Sequence, residues 1–309
     1  MSFRLGAWAA ALAILVSGAS QRANAAVADL EAMQQANANL AFQYGFEGAD
    51  DSTRLADSSG NGYGLQRTAA GTGDPGDVQF VPGWGGVGQA YQPSFDTSAY
   101  NSGAGLNTIS TAVPVGAAVT VELVVQLDGF VQPTGSTTGA YLLSARPQPG
   151  NGRAYFFRQM NDTSVRVTTT LGNTFGDVPP VLDYTADDWY YLVLTAEYDS
   201  GANQTTANWY AADLSAGETT LTLLATDNTT FQGLFDGDSQ IGVGNFLNGT
   251  QEFMQGRMDS VALTNEVLSV NDLQGRLDAL NRPGQVPEPA TCGLLALAGG
   301  LALAIRRRR

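Results

Sequence analysis

The side chains able to do chemistry in this chain are few, and the missing types exclude the most. The 309 residues hold no histidine and no lysine, so all 15 cationic side chains are arginine. A Ser-His-Asp or Cys-His nucleophile, a lysine Schiff base, a P-loop lysine and a histidine metal cage are excluded. A single cysteine, Cys292, excludes an intrachain disulfide and any multi-cysteine zinc or iron–sulfur centre. What remains is carboxylate chemistry, carried by 29 acids in a chain of net charge −14. Two carboxylates astride a glycosidic bond can act as acid and base. Hard oxygens on a tight turn can hold calcium, which takes six to eight of them.

For the first chemistry, Glu122 stands alone on its strand, with Gln126 where a second acid would be useful. A lone strand carboxylate reads as part of a solvated face. The doublets Asp50-Asp51 and Asp187-Asp188 fall in turns, where paired aspartates cap backbone amides. Catalysis is therefore disfavoured. For the second chemistry, Asp57 and Asn61 lie four apart in Asp57-Ser58-Ser59-Gly60-Asn61-Gly62. They can turn oxygens towards one cation or close an ion-free Asx turn, and both readings stand. Trp84, in Pro82-Gly83-Trp84-Gly85-Gly86, is the candidate ligand-binding aromatic; its indole either stacks on a sugar ring or folds back over an apolar sheet face.

The elements that must position these residues are strands. Ser164 to Leu171 begins with period-two alternation, and Thr120 to Leu127, Tyr190 to Glu197, Leu221 to Ala225 and Met258 to Thr264 are apolar or β-branched runs of strand length. Turn chemistry separates them at Ser59–Gly62, Pro149–Gly152, Asp199–Gly201 and Asp236–Asp238. Many short strands with frequent turns predict an all-β sandwich or jelly roll. Two helices are expected, a leader over 26–39 and a second over Ser269 to Leu280 with Asp272 placed for an approximate capping box. Trp189 and Trp209 read as packing residues.

The ends read as processing signals. Arg4, the apolar Leu5 to Val16 stretch and Ala23-Asn24-Ala25 predict a secretory signal over residues 1–25. Residues 282–289 are a linker containing Pro287-Glu288-Pro289, residues 290–305 are uncharged and apolar, and residues 306–309 are all arginine. As a helix the apolar stretch reaches about 24 Å, short of the roughly 30 Å hydrocarbon core, and the arginines place the main domain outside the cytoplasm. Cys292 is a small apolar residue of that tail. Between the signals, residues 26–286 carry nine arginines against 28 acids, a net charge of −19. Nucleic acid and anionic lipid are poor partners for such a segment.

Two resemblances follow from these residues. The Pro287-Glu288-Pro289 motif, the short apolar segment and the terminal arginines, in that order, resemble the PEP-CTERM sorting signal of Gram-negative bacteria. The resemblance implies an exosortase-type membrane enzyme as partner, transient inner-membrane tethering, cleavage near the motif and release towards the cell surface or extracellular matrix. Separately, Leu40 to Glu47 followed by Leu55 to Gly62 is similar to the opening of laminin G-like, concanavalin A-like jelly rolls. Gly85 to Ala90, Val119 to Glu122, Trp189 to Val193, Asn208 to Tyr210, and Gly256 to Leu263 followed by Val267-Leu268-Ser269 continue that likeness in order over 40–281. The chain departs from the family in Glu47, where aspartate is commoner, and in Thr/Gly-rich inserts at 131–139 and 173–186. The likeness implies one two-sheet antiparallel jelly roll with its first and last strands adjacent. It also implies a structural Ca2+ held by Glu47, Asp57, Asn61 and Asp259. Glycosidases of the laminarinase type resemble the fold but use Glu-x-Asp-x-x-Glu, which the Glu122 strand lacks. The expectation is an exported, non-catalytic protein binding an extracellular polysaccharide or a neighbouring surface protein; the alternative is a secreted glycan hydrolase working through a carboxylate pair.

Overall fold

A computed structural model describes residues 26–86, 88–99, 101–108, 112–134, 139–147, 154–160, 163–171, 174–177, 182–229, 237–245 and 252–281. The signal segment 1–25, the linker 282–289, the tail 290–305, the arginines 306–309 and the 149–152 turn lie outside them. Among the described residues no helix is long and apolar enough to cross a membrane.

Two antiparallel sheets form the sandwich. The eight-stranded sheet runs β16 (Thr222–Thr229), β15 (Gln204–Asp213), β14 (Asp188–Asp199), β8 (Ala118–Leu127), β18 (Gly256–Thr264), β4 (Ala90–Gln92), β3 (Gln79–Val81), with β1 (Leu40–Tyr44) also on β18. The ten-stranded sheet runs β12 (Thr174–Asp177), β11 (Ser164–Leu171), β10 (Ala154–Met160), β9 (Gly139–Pro147), β17 (Gly237–Val243), β6 (Gly103–Asn107), β2 (Gln66–Ala70). Off that path, β13 (Leu182–Asp183) pairs β11, β5 (Ser94–Phe95) pairs β6 and β7 (Val113–Val115) pairs β17. The expected all-β, two-sheet antiparallel sandwich is the observed one. Its first strand pairs its last, Leu40 facing Thr264 and Tyr44 facing Val261. Within the 173–186 insert, β12 and β13 extend the ten-stranded sheet. One expectation needs correction. The turn expected at 236–238 gives way at Gly237, which already pairs Val115 in β17.

The central strands of the eight-stranded sheet are buried on both faces. On β8 the odd residues Val119, Val121, Leu123, Val125 and Leu127 enter the sandwich core, while Val124 packs on the other side. On β14 the even residues Tyr190, Leu192, Leu194 and Ala196 face inwards, and Trp189, Tyr191 and Val193 face outwards. The outer layer is completed by two helices. The leader helix α1 (26–35) contributes Val27 and Leu30. A short helix α2 (Asp51–Arg54) follows β1, capped by Asp50. The C-terminal helix α3 (Val270–Asn281) contributes Leu273, Leu277 and Leu280. Ser269 caps α3, its hydroxyl taking the Asp272 N–H at 3.2 Å. Helices over one face explain why β8 and β14 read as apolar runs instead of alternating strands.

Glu122 is where this outer layer is fastened. The expected solvated face is wrong: the side chain is 1 % exposed, ion-paired with Arg276 of α3 and accepting the Tyr191 hydroxyl. Burial, then the Glu122 charge, pushes the Tyr191 hydroxyl well above its usual range, so it stays a donor. Removing one partner of such a pair strands a buried charge at a cost of about 3–5 kcal/mol. Arg276→Met should therefore lower unfolding free energy by that order in urea titration. The double change Glu122→Leu with Arg276→Leu should recover most of the loss.

Candidate functional site

The turn after α2 is folded largely by its own side chains. Gly60 and Gly62 both adopt φ of +84°, a conformation other residues resist. Asp57 Oδ1 accepts the N–H groups of Gln43 and Ser59, each at 3.0 Å. Its Oδ2 accepts the Tyr63 N–H at 3.1 Å and the Ser59 hydroxyl at 2.8 Å. Asn61 turns its amide nitrogen to the carbonyls of Leu40 (2.9 Å) and Ala41 (3.0 Å). The carboxylate's acceptor sites are thus filled by donors, and the asparagine presents N–H where a cation needs oxygen.

The other two expected ligands sit elsewhere. Glu47 accepts the Gln89 N–H at 2.8 Å. Asp259 occupies the register shift of β18 between Met258 and Ser260, a bulge that re-aims its side chain. Its Oδ2 accepts the Trp84 N–H at 2.5 Å, and its Oδ1 is buried with no hydrogen-bond partner. Among the described residues no three His, Cys, Asp or Glu gather as a metal-holding group. Asp57 and Asn61 therefore do not fit the ligand roles that the family resemblance implies for them. Asp57 and Asn61 make the Asx-turn alternative instead, zipping the turn to β1.

One acid near Asp259 does not stand out from sequence. Glu31 of α1 lies over Gly45, where a Cβ would fall 2.0 Å from its Oε1. Burial, then the Glu47 charge, pushes the Glu31 carboxyl up to about 7. Asp259 is driven well above the usual range by burial, with Glu31 and Glu47 adding to it and the Trp84 N–H opposing. Beneath them the buried Gln43 amide donates to Glu31 O (3.0 Å) and Gln34 Oε1 (2.6 Å), docking α1 on β1. A glycine ending an apolar strand is the available signal for this close approach.

Trp84 lies at the rim of the eight-stranded sheet. Its half-buried indole packs on Trp189, ring centres 6.0 Å apart and planes at 59°. The Arg257 guanidinium stands 6.0 Å from the Trp189 ring, donates to Pro82 O at 3.2 Å and bonds Gln126 Oε1. Gln126 in turn donates to Asp187 O at 2.6 Å. Asp128, on the same rim, is raised by burial and then by the Asp187 charge, with Arg257 opposing. Indole, guanidinium and carboxylates side by side can stack on a ring and bond its hydroxyls. Trp209 is buried in the sandwich core.

Residues 285–309 match the family model of the PEP-CTERM protein-sorting motif. A comparison with curated proteins finds no match. Among solved structures the chain is similar to the botulinum neurotoxin type G receptor binding domain (TM-score 0.49, 12 % identity, 78 % of this chain and 51 % of that one). It is similar also to a marine PL-14 alginate lyase from Aplysia kurodai (TM-score 0.48, 9 % identity, 73 % and 99 %). A third likeness is the Ruminococcus gnavus IT-sialidase CBM40 bound to alpha2,3 sialyllactose (TM-score 0.36, 18 % identity, 52 % and 82 %). The chain spans about half the length of the neurotoxin domain.

Two outcomes follow. Asp57→Ala should cost about 1–3 kcal/mol by leaving buried amides unpaired. The loss should be the same in calcium and in excess chelator, read by thermal unfolding. Between pH 4.5 and about 7 folded Glu31 keeps a proton that the unfolded chain has released. Stability should therefore fall as pH rises through that window, and Glu31→Gln should flatten the melting profile.

Proposed function

We propose, on the premise that the sorting motif commits this chain to membrane-anchored sorting and export, that it is a non-catalytic protein of the Gram-negative cell surface or extracellular matrix. Its sandwich binds an extracellular glycan or a neighbouring surface protein through the Trp84 rim. The observation carrying this reading is the rim itself, a half-buried indole beside Arg257, Asp128 and Asp187. The centre of the outer face of the eight-stranded sheet is covered by α1 and α3, which leaves the Trp84 rim as the exposed part of that sheet beside them. The absence of catalysis is supported by Glu122, the strand carboxylate of β8, whose oxygens are taken by Arg276 and Tyr191.

A second reading, glycan hydrolysis, is favoured by one observation. Burial and then the Asp187 charge raise the Asp128 carboxyl, with Arg257 opposing. A carboxyl raised beside a second carboxylate is a candidate general acid.

The test is a glycan array probed with the secreted, tail-less protein. Binding that falls at least tenfold in Trp84→Ala, measured well below that variant's own melting temperature, is the expected result. Equal binding by wild type and variant removes the rim from the reading. Product release from a bound glycan that disappears in Asp128→Asn would favour the hydrolase.

A further inference from the structure

A groove of about 440 Å³ runs between α1 and α3 on the outer side of the eight-stranded sheet. Met33, Ala36, Leu268 and Gly275 give it an apolar floor, and Glu266 and Asp272 stand at its edge. Glu266 also ties the end of α1, accepting the Asn37 amide at 2.5 Å and the Asn39 amide at 2.9 Å. Exposed apolar side chains accompany it. Of the five large ones among the described residues, Met33 lines the groove, and Val267 and Val270 are chain neighbours of its lining residues Glu266, Leu268 and Asn271. Exposed apolar patches beside a concave floor are the ordinary mark of a docking surface.

The position of the sorting motif says what docks. α3 ends at Asn281 and the motif begins at residue 285, so three residues separate folded helix from signal. Gly275 lies about 9 Å along the helix from Asn281, at 1.5 Å rise per residue. From Asn281 to Pro287 an extended chain spans at most about 20 Å. Any enzyme holding Pro287-Glu288-Pro289 is thereby within reach of the groove.

We infer that the α1–α3 groove is a second docking surface for the membrane-bound sorting enzyme that acts on residues 285–309. The partner surface it fits is an apolar side chain flanked by N–H or cationic donors, meeting the apolar floor and the acidic edge. Binding at two linked sites raises the local concentration of the motif at the enzyme.

The experiment follows removal of the tail from the full-length chain in cells carrying the sorting enzyme, by mass spectrometry against time. Gly275→Gln fills the groove; a Cβ at this position meets Met33 Cε at 3.7 Å, an ordinary contact, and helix propensity improves. Val270→Asp places an acid in the first turn of α3, where the helix dipole favours it. Each is expected to leave melting unchanged and slow processing about tenfold, equivalent to ~1.4 kcal/mol of docking. Both are repeated in a chain carrying a long Gly/Ser insertion between residues 283 and 284. There wild type should be slowed, and the groove changes should add little. Processing at the wild-type rate in the native spacing overturns the inference. So does equal slowing by the variants in both spacings, or a change in self-association with processing intact, which would make the groove a contact between copies.

Discussion

One buried ion pair organises the outer half of this molecule. Glu122 on β8 and Arg276 on α3 are 154 residues apart in sequence and both nearly inaccessible. A charge in that position is costly unless its partner is fixed, so the pair makes the placement of α3 nearly all-or-none. With α3 in place, Leu273, Leu277 and Leu280 cover Val124, Tyr191 and Val193, and α1 closes the rest. The centre of the sheet then has no wet face. That is why its central strands read as apolar runs, and why a partner has to be sought at the rims or on the helices that cover them.

The surplus of acid is used in unequal ways. Asp57 is consumed by four local donors, and Asp50 by the cap of α2. Asp51 holds Arg67, both nitrogens of the fork engaged. Asp259 and Glu31 are different, because each keeps a buried oxygen without a hydrogen-bond partner. Carboxyls in that state favour the neutral form, and the cost of ionising them is borne by the docking of α1.

How much of this is legible depends on sequence distance. The two-sheet architecture, the pairing of first and last strands and the Ser269 cap lie in local patterns or in an ordered series of them. The Asp57 turn is legible too, as one of two readings, since its donors are all within 14 residues. Glu122 misleads because nothing near it names Arg276 as partner. Asp259 falls in the expected strand, but its bulge is a two-against-one register with β8 that no single strand announces. Arg257 and Asp128 escape sequence reasoning on the same ground: the rim exists only where three distant segments meet. The 173–186 stretch, composed like an insert, pairs with β11 because the neighbouring strand offers an unpaired edge.

The pairing of β1 with β18 sets an order of events for an exported chain. Residues 40–44 find their partner only in residues 261–264, so more than two hundred residues must pass before the first strand is satisfied. Contacts this remote close slowly, since the loop between them has to be ordered first. A polypeptide threaded amino end first would emerge with an unmatched edge and an open core until almost its last folded residue is through. Completion of the sandwich is thus coupled to arrival of the very segment that adjoins the sorting motif. A chain stalled partway would present bare strand edges beyond the membrane, the state most prone to pair with a neighbour. The architecture therefore places its greatest hazard during passage, and ends it at the moment the tail comes to rest.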